Sequence, residues 1–222
     1  MKRIACIYTA QGGLDKVVEK ELTARLGALD FVHITDGALI RDIVAAGGVT
    51  PQLKKRTLAL FDAACAAEPD LVLCTCSSIG EVAEEAAKLH PETRILRIDY
   101  AMARTAAEQY DRVAVMATLA TTVGPSVRLI ERLAQKKGKA VSVADATAAR
   151  AFTAMVGGDM DKATEEVLRT AETCRGAQCI VLAQASMARF ADALRTALPG
   201  VPLLSSPDTC AELLAQENWI KE

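Results

Sequence analysis

Cys74 and Cys76 stand one residue apart, where the apolar run "LVLC" gives way to serines and a glycine. Thiols at this spacing could be metal ligands, a redox pair, a catalytic nucleophile or small residues packed at the end of a strand. The chain has no Cys-x-x-Cys motif, and its two histidines, His33 and His90, lie far apart in sequence. A zinc site at these cysteines is therefore not expected, and no metal ligand set is predicted elsewhere.

The residues after Cys76 have the pattern of a helix start. Ser78 and Glu81 are spaced as in a capping box, which predicts a helix that runs to Leu89. Cys76 would then lie just before a helix N-terminus, where free amides and the helix dipole lower the pKa of a thiol. The same amides could hold a carboxylate or an enediolate. The local pattern leaves open whether Cys76 is functional or an inert buried residue, whereas Cys74 is expected to be packed.

Hydroxyl side chains follow a second strand in the same way. Thr118, Thr121 and Thr122 come where an apolar run ends and a helix is predicted to begin. They could donate hydrogen bonds to a carboxylate, although simple helix capping accounts for at least one of them. Thr9 occupies the equivalent place near the start of the chain, followed by Gln11 and two glycines. We expect these residues to line a binding site.

The elements that position these residues alternate between β-branched or aliphatic runs and segments of helical period, which predicts a parallel α/β architecture. Asp36, after the second strand, is either a helix cap or an acid of the site. The predicted strands are 3–8, 30–34, 71–76, 94–98, 112–117, 139–143, 179–182 and 202–204, and the predicted helices include 14–26, 52–67, 80–89, 122–137 and 160–175.

The chain also resembles itself. "RIACIYT" at 3–9 matches "RVAVMAT" at 112–118, and "LVLCTCS" at 71–77 matches "IVLAQAS" at 180–186, each with an offset of 109 residues. The repeat predicts two similar α/β lobes, the first formed by residues 1–100 plus 205–222 and the second by residues 101–204. Ligands of open α/β sheets bind beyond the carboxyl ends of the strands, so we expect the site in the cleft between the lobes.

Composition restricts the functional class. A net charge of −2 and a pI near 5.8 give no electrostatic reason to expect nucleic acid as a partner. No apolar run approaches the roughly 18 residues of a membrane span, and the first residues turn polar too early for a signal peptide. We therefore expect a cytoplasmic protein without a membrane partner. Seven scattered cysteines, an odd number, favour free thiols in a reducing compartment. Five of them are expected to be packed like Cys74, namely Cys6, Cys65, Cys174, Cys179 and Cys210.

The segments "LCTCSSIG", "LRIDYAMA", "VAVMATLATT", "IVLAQASMA" and "VPLLSSPDT" together resemble the aspartate/glutamate/hydantoin racemase superfamily over nearly the whole chain. The resemblance implies two similar lobes related by a pseudo-twofold, no cofactor, and a homo-oligomer, a dimer or larger. It also implies a small carboxylate or carbonyl compound as substrate. In such enzymes a cysteine of each lobe flanks the carbon beside the carboxylate, and one thiol removes a proton while the other returns one.

This sequence differs from the superfamily at the second cysteine. Alignment of "IVLAQASMA" with the superfamily motif places Gln184 at the position of the second cysteine. The internal offset of 109 instead pairs Cys76 with Ala185. Glutamine is not a base at neutral pH, and Ser186 nearby is a poor base without an activating partner. The resemblance implies the following roles: Cys76 as acid/base or nucleophile; Ser77, Ser78, Thr118, Thr121 and Thr122 as anion ligands; Gln184 and Ser186 on the opposite side; and Thr9, Gln11, Asp36, Ala185 and Met187 as further lining.

Three functions fit these residues. The first is a cofactor-independent, cysteine-dependent isomerase or racemase-like enzyme, a class that includes nucleophilic cis–trans isomerases of the maleate type. The second is a single-thiol lyase resembling the arylmalonate decarboxylases, since one thiol suffices when carbon dioxide leaves and one proton is delivered. The third is a carboxylate-binding protein without catalysis, which the glutamine at 184 favours.

Overall fold

The computed structural model describes residues 1–219 of the 222. The strands are β1 (Arg3–Tyr8), β2 (Asp30–Thr35), β3 (Leu71–Cys74), β4 (Ile95–Arg97), β5 (Arg112–Ala117), β6 (Ser142–Thr147), β7 (Cys179–Leu182) and β8 (Leu203–Ser205). The helices are α1 (Leu14–Leu26), α2 (Leu39–Ala45), α3 (Pro51–Cys65), α4 (Gly80–Leu89), α5 (Tyr100–Gln109), α6 (Ala120–Lys136), α7 (Ala149–Val156), α8 (Met160–Ala171), α9 (Ala191–Ala197) and α10 (Ser206–Gln216). None of the described helices is long and apolar enough to cross a lipid bilayer.

The chain divides into two compact units. The first comprises Met1–Tyr100 and the chain from Pro207 onward, and the second comprises Ala101–Ser206. Each unit is built on a four-stranded parallel sheet, with the order β2-β1-β3-β4 in the first and β6-β5-β7-β8 in the second. The predicted class, two similar α/β lobes with parallel sheets flanked by helices, is confirmed. The predicted boundary after residue 204 would cut β8, whereas the observed boundary lies after Ser206.

Helices cover both faces of each sheet because the central strands are apolar on both sides. In the first unit one face of β1 packs against α1 and α10, and the other packs against α2, α3 and α4. In the second unit α5 and α6 cover one face of β5, and α7, α8 and α9 cover the other. Aliphatic side chains fill these cores, as the aromatic content of 4% requires.

The predicted strands 3–8, 112–117 and 179–182 agree with the structure, and the other strands differ in their bounds. The largest difference is at β6, predicted at 139–143 and observed at Ser142–Thr147. β6 is an edge strand with largely exposed side chains, so it lacks the apolar run by which a buried strand is identified. The start of α3 follows a local rule: Thr50 Oγ1 accepts a hydrogen bond from the Leu53 N–H, and Pro51 takes the first helical position.

The sheet registers correct the internal offset. Ile4 pairs with Leu71 in the first unit, and Val113 pairs with Cys179 in the second. β5 therefore follows β1 by 109 residues, but β7 follows β3 by 108. The offset of 109 for the second matching segment is wrong because similar apolar strands can be aligned one residue apart without losing the pattern. With the corrected offset, Gln184 is the structural equivalent of Cys76.

Candidate functional site

Cys76 lies between a strand and two successive helical segments. β3 ends at Cys74, and Cys76 adopts an extended conformation (φ −122°, ψ 115°) at the start of a 3₁₀ turn, Ser77–Ile79. α4 begins only at Gly80, after Ile79 as its N-cap, with no side-chain cap. The prediction that Ser78 is the N-cap residue of this helix is therefore wrong, because Ser78 lies within the 3₁₀ turn and Ile79 takes the N-cap position. The turn nevertheless places backbone amides beside Cys76.

The Cys76 side chain is half-buried, and its thiol has several hydrogen-bond donors. Burial raises the pKa of Cys76 above the ordinary value of a thiol. Hydrogen bonds from the Thr9 hydroxyl, from the N–H and hydroxyl of Ser78 and from the Ile79 N–H act in the opposite direction, since they stabilise the thiolate. The prediction of a lowered pKa is wrong because desolvation outweighs the contribution of these donors.

Cys74 is less accessible than Cys76 and has a different hydrogen-bond partner. Its side chain is buried, its Sγ donates to the Cys76 carbonyl at 3.4 Å, and burial strongly raises its pKa. All seven cysteines are free thiols. Within residues 1–219, no group of three His, Cys, Asp or Glu side chains is arranged to hold a metal ion.

The second unit places Gln184 in the same local geometry. Gln184 is extended (φ −123°, ψ 134°) and precedes a 3₁₀ helix, Ala185–Phe190. Its Oε1 accepts hydrogen bonds from the N–H of Thr118 at 2.5 Å and from the Thr118 hydroxyl at 2.9 Å. A backbone N–H can only donate, so the atom that faces it is the amide oxygen. The –NH₂ group of Gln184 is left as a hydrogen-bond donor.

The remaining residues expected in the second unit divide by burial. Ser186 is half-buried in the 3₁₀ helix, whereas Ala185 is buried and Met187 lies in the core against α7–α9 rather than at an open surface. Thr121 and Thr122 lie inside the first turn of α6, whose N-cap is Leu119, so the expected threonine cap is absent at this helix. Thr121 Oγ1 is buried without a hydrogen-bond partner among the described residues.

In the first unit, Thr9, Ser77 and Ser78 are buried beside Cys76, but Gln11 and Asp36 have other surroundings. Gln11 is exposed and lines a cavity of about 250 Å³ together with Tyr8, His33 and Thr35, among others.

Asp36 forms a bidentate ion pair with Arg56, with both oxygens 2.6 Å from guanidinium nitrogens, and also accepts the Ala38 N–H. The hydrogen bond from Arg56 is the main cause that lowers the pKa of Asp36, so this carboxylate is held ionised by its own unit.

One cluster at the Cys76 turn was not predicted. Arg97, at the end of β4, is 4% exposed and pairs with Asp99, which is 1% exposed. The guanidinium also bonds to Glu84 of α4 and lies against Gly80. The segment "LRID" carries the signal for this cluster, since a charged residue inside an otherwise apolar strand requires a buried partner.

The chain as a whole can be compared with known proteins. The family model described as Asp/Glu/Hydantoin racemase matches residues 17–214, most of the chain. The chain belongs to the Asp/Glu/hydantoin racemase family. The resemblance stated from the sequence is thereby confirmed, and the protein is an enzyme of the racemase superfamily. Comparison with the sequences of curated proteins gives no significant match.

Solved structures of racemases share the fold of this family member. A glutamate racemase from Francisella tularensis in complex with D-glutamate superposes with a TM-score of 0.76 at 15% identity, over 99% of this chain and 82% of the other. The aspartate racemase of Picrophilus torridus gives 0.69 at 12% identity, over 98% and 94%. An allantoin racemase from Pseudomonas fluorescens gives 0.62 at 17% identity, over 97% and 92%.

Proposed function

We propose that this racemase-family enzyme is a cofactor-independent isomerase in which the Cys76 thiol exchanges a proton with the carbon beside a carboxylate or carbonyl group. The observation that carries the proposal is the hydrogen-bonding environment of Cys76. This half-buried thiol receives donors from Thr9, Ser78 and Ile79, and such donors stabilise a thiolate. The substrate is a small carboxylate or a related carbonyl compound.

The raised pKa of Cys76 suits this chemistry. Burial makes the thiol a weaker acid, so the thiolate, once formed, is a stronger base toward a carbon acid. The thiolate removes the α-proton, and the electron pair moves into the carboxylate or carbonyl as an enediolate or enolate. The amides and hydroxyls of the 3₁₀ turn stabilise that developing negative charge.

Gln184 takes a binding role in this proposal. The Gln184 amide neither takes up nor releases a proton near neutral pH. Its oxygen already accepts two hydrogen bonds from Thr118. The –NH₂ group donates a hydrogen bond to a substrate oxygen, and the hydroxyls of Thr118, Thr121, Thr122 and Ser186 assist. Since Gln184 supplies no proton, the proton for the opposite face of the carbon comes from water, and the hydroxide that remains removes the proton from the Cys76 thiol and restores the thiolate.

The glutamine also favours a second candidate, a single-thiol decarboxylase. In that reaction the bond between the α-carbon and the departing carboxylate breaks, and the electron pair stays on the carbon as an enediolate. The Cys76 thiol delivers one proton to that carbon, and water reprotonates the thiolate. One thiol completes the cycle, which is the number found at the two equivalent turns.

The test is incubation in deuterated water with a panel of aspartate, glutamate, allantoin, hydantoins and substituted malonates. Proton exchange or a change of configuration at the α-carbon, read by NMR and chiral chromatography, supports the isomerase, and release of carbon dioxide supports the lyase. Cys76→Ser should remove either activity. Activity that persists unchanged in Cys76→Ser would contradict both candidates.

A further inference from the structure

Arg97 and Asp99 form a buried pair beneath the Cys76 turn, and the half-buried Glu84 is the third member of the cluster. Arg97 Nε and Nη2 donate to the two oxygens of Asp99, each at 2.8 Å, and Arg97 Nη1 donates to Glu84 at 2.8 Å. Arg97 pairs in register with Cys74, the last residue of β3, two positions before Cys76. The cluster therefore lies at the same end of the sheet as the thiol.

The guanidinium is in van der Waals contact with the backbone of Gly80, the first residue of α4. A Cβ at position 80 would lie 2.3 Å from Arg97 Cζ and 2.5 Å from Nε. The backbone of Gly80 is right-handed helical (φ −60°, ψ −36°), a conformation that any residue adopts. The glycine is thus required by the close approach of the arginine and not by its backbone angles.

Glu84 lies one helical turn after Gly80, so both residues are on the same face of α4. The planar guanidinium spans this face, in contact with the backbone at one end and bonded to a carboxylate at the other. Asp99 fixes it from the side of the sheet. Such a contact holds the first turn of α4 at a set height above β4, and the 3₁₀ turn Ser77–Ile79 is directly attached to that first turn.

We propose that Arg97, held by Asp99 and Glu84, is a positioning residue that sets the amides of Ser78 and Ile79 against the Cys76 thiolate. A buried ion pair is weak evidence for stability, since apolar replacements are often neutral or stabilising. The cluster also carries one cation and two carboxylates, so it does not stabilise a thiolate by its net charge. Its effect on Cys76 is geometric, through the backbone. The importance of this effect for turnover rests on the proposed function.

The test is the rate of alkylation of Cys76 by iodoacetamide as a function of pH, measured by peptide mass spectrometry. Cys65, half-buried in α3, is the reference thiol in the same digest. We expect Arg97→Met, Arg97→Lys and Gly80→Ala each to shift the profile of Cys76 to higher pH. Loss of one charge-assisted hydrogen bond should slow its alkylation at neutral pH about three- to tenfold. If Arg97→Lys also shows the shift, the planar guanidinium is needed and a positive charge alone is not enough.

The double variant Gly80→Ala/Arg97→Ala makes the test specific. Removing the guanidinium leaves room for the alanine methyl, so the double variant should alkylate no more slowly than Arg97→Ala alone. Gly124→Ala in α6 is the matched control, since its Cβ would meet only the flexible end of Arg128 at 3.2 Å. Arg56→Lys, which loosens another bidentate arginine–aspartate pair, is the second control. Both should retain the wild-type profile of Cys76.

The proposal is overturned if folded Arg97→Met alkylates at Cys76 as the wild type does at every pH. It is also overturned if the effects of Gly80→Ala and Arg97→Ala add fully in the double variant. If Arg97→Met does not fold, the alkylation profiles of Gly80→Ala and Gly80→Ala/Arg97→Ala decide whether the proposal holds. Alkylation needs no substrate, so a Cys76 that responds to Arg97 without any turnover removes only the proposed function. Turnover that depends on Cys76 but not on Arg97 removes only the positioning role.

Discussion

Thr118 donates two hydrogen bonds to the same oxygen of Gln184, one from its backbone N–H and one from its hydroxyl. The equivalent threonine of the first unit, Thr9, donates its hydroxyl to the Cys76 thiol. In each unit, a threonine that follows the first strand therefore bonds to the residue just before the 3₁₀ turn, and that turn follows the third strand. The second unit has glutamine instead of cysteine at this position, but it keeps the threonine that bonds to it.

The first prediction concerns this support. Thr118→Val keeps the shape of the side chain but removes the hydroxyl donor, and it should lower the free energy of unfolding by about 1 kcal/mol. Gln184→Ala should cost about 1–3 kcal/mol, because the buried N–H and hydroxyl of Thr118 lose their acceptor. Urea denaturation of the single and double variants should show costs that are less than additive.

The control for that cycle is Thr147→Val, at the end of β6, where the hydroxyl of this half-buried residue donates to the exposed Asp145. Its cost should stay within about 0.5 kcal/mol. Fully additive costs for Thr118 and Gln184 would contradict the coupling.

The second prediction restores a second thiol. Gln184→Cys should raise α-proton exchange in deuterated water about a hundredfold for the substrate identified by the panel, because a positioned base contributes at least that much. Ala185→Cys is the matched control: its side chain occupies a buried position one residue away and should add nothing. A gain for the cysteine at 185 but not at 184 would show that the equivalence of Gln184 and Cys76 does not extend to chemistry.

The third prediction separates the two neighbouring thiols. Cys76→Ala should abolish turnover and leave the free energy of unfolding within about 1 kcal/mol of the wild type, since the side chain is only half-buried. Cys74→Ala should cost about 1–2 kcal/mol by leaving a small cavity, with turnover nearly unchanged. Equal loss of turnover in both variants, with the fold intact by circular dichroism, would count against Cys76 as the reacting group.

The fourth prediction concerns alkaline pH. Burial raises the pKa of Cys179 to about 12, whereas in the unfolded chain this thiol ionises near its ordinary value of about 8.5. Below the unfolded pKa the contribution of Cys179 to stability is complete, and as the pH rises toward the folded pKa it is lost. At pH 10 the loss should be about 2 kcal/mol.

Urea denaturation at pH 7 and pH 10 measures this loss, and Cys179→Ala should reduce the difference between the two pH values. The half-exposed Cys65 provides the comparison, since Cys65→Ala should reduce the difference far less. An equal reduction for both variants would exclude burial as the cause.

The sequence identifies the strands that are buried and the turn that follows Cys76, because both depend on local patterns of apolar and small residues. The sequence places the turn of the second unit only to within one residue. The stretch from β5 to β7 is one residue shorter than the stretch from β1 to β3, and the apolar strands align equally well in either register. The pKa of Cys76 is beyond sequence reasoning because it depends on how far the folded unit buries the thiol and on hydrogen-bond donors distant in the chain, such as Thr9. The contact of Arg97 with Gly80 joins different elements in the same way.

The helix α10 returns to the first unit after the second unit is complete. Its side chains Cys210, Ala211 and Leu214, with Trp219 beyond it, fill one face of the first sheet beside Leu22 and Ile98. On the ribosome, α1 can cover this face of β1 early, but the part that α10 occupies stays uncovered while more than a hundred residues of the second unit are made. The first unit therefore completes its core only after the second unit has been made, and truncations that remove α10 should expose apolar surface on the first sheet.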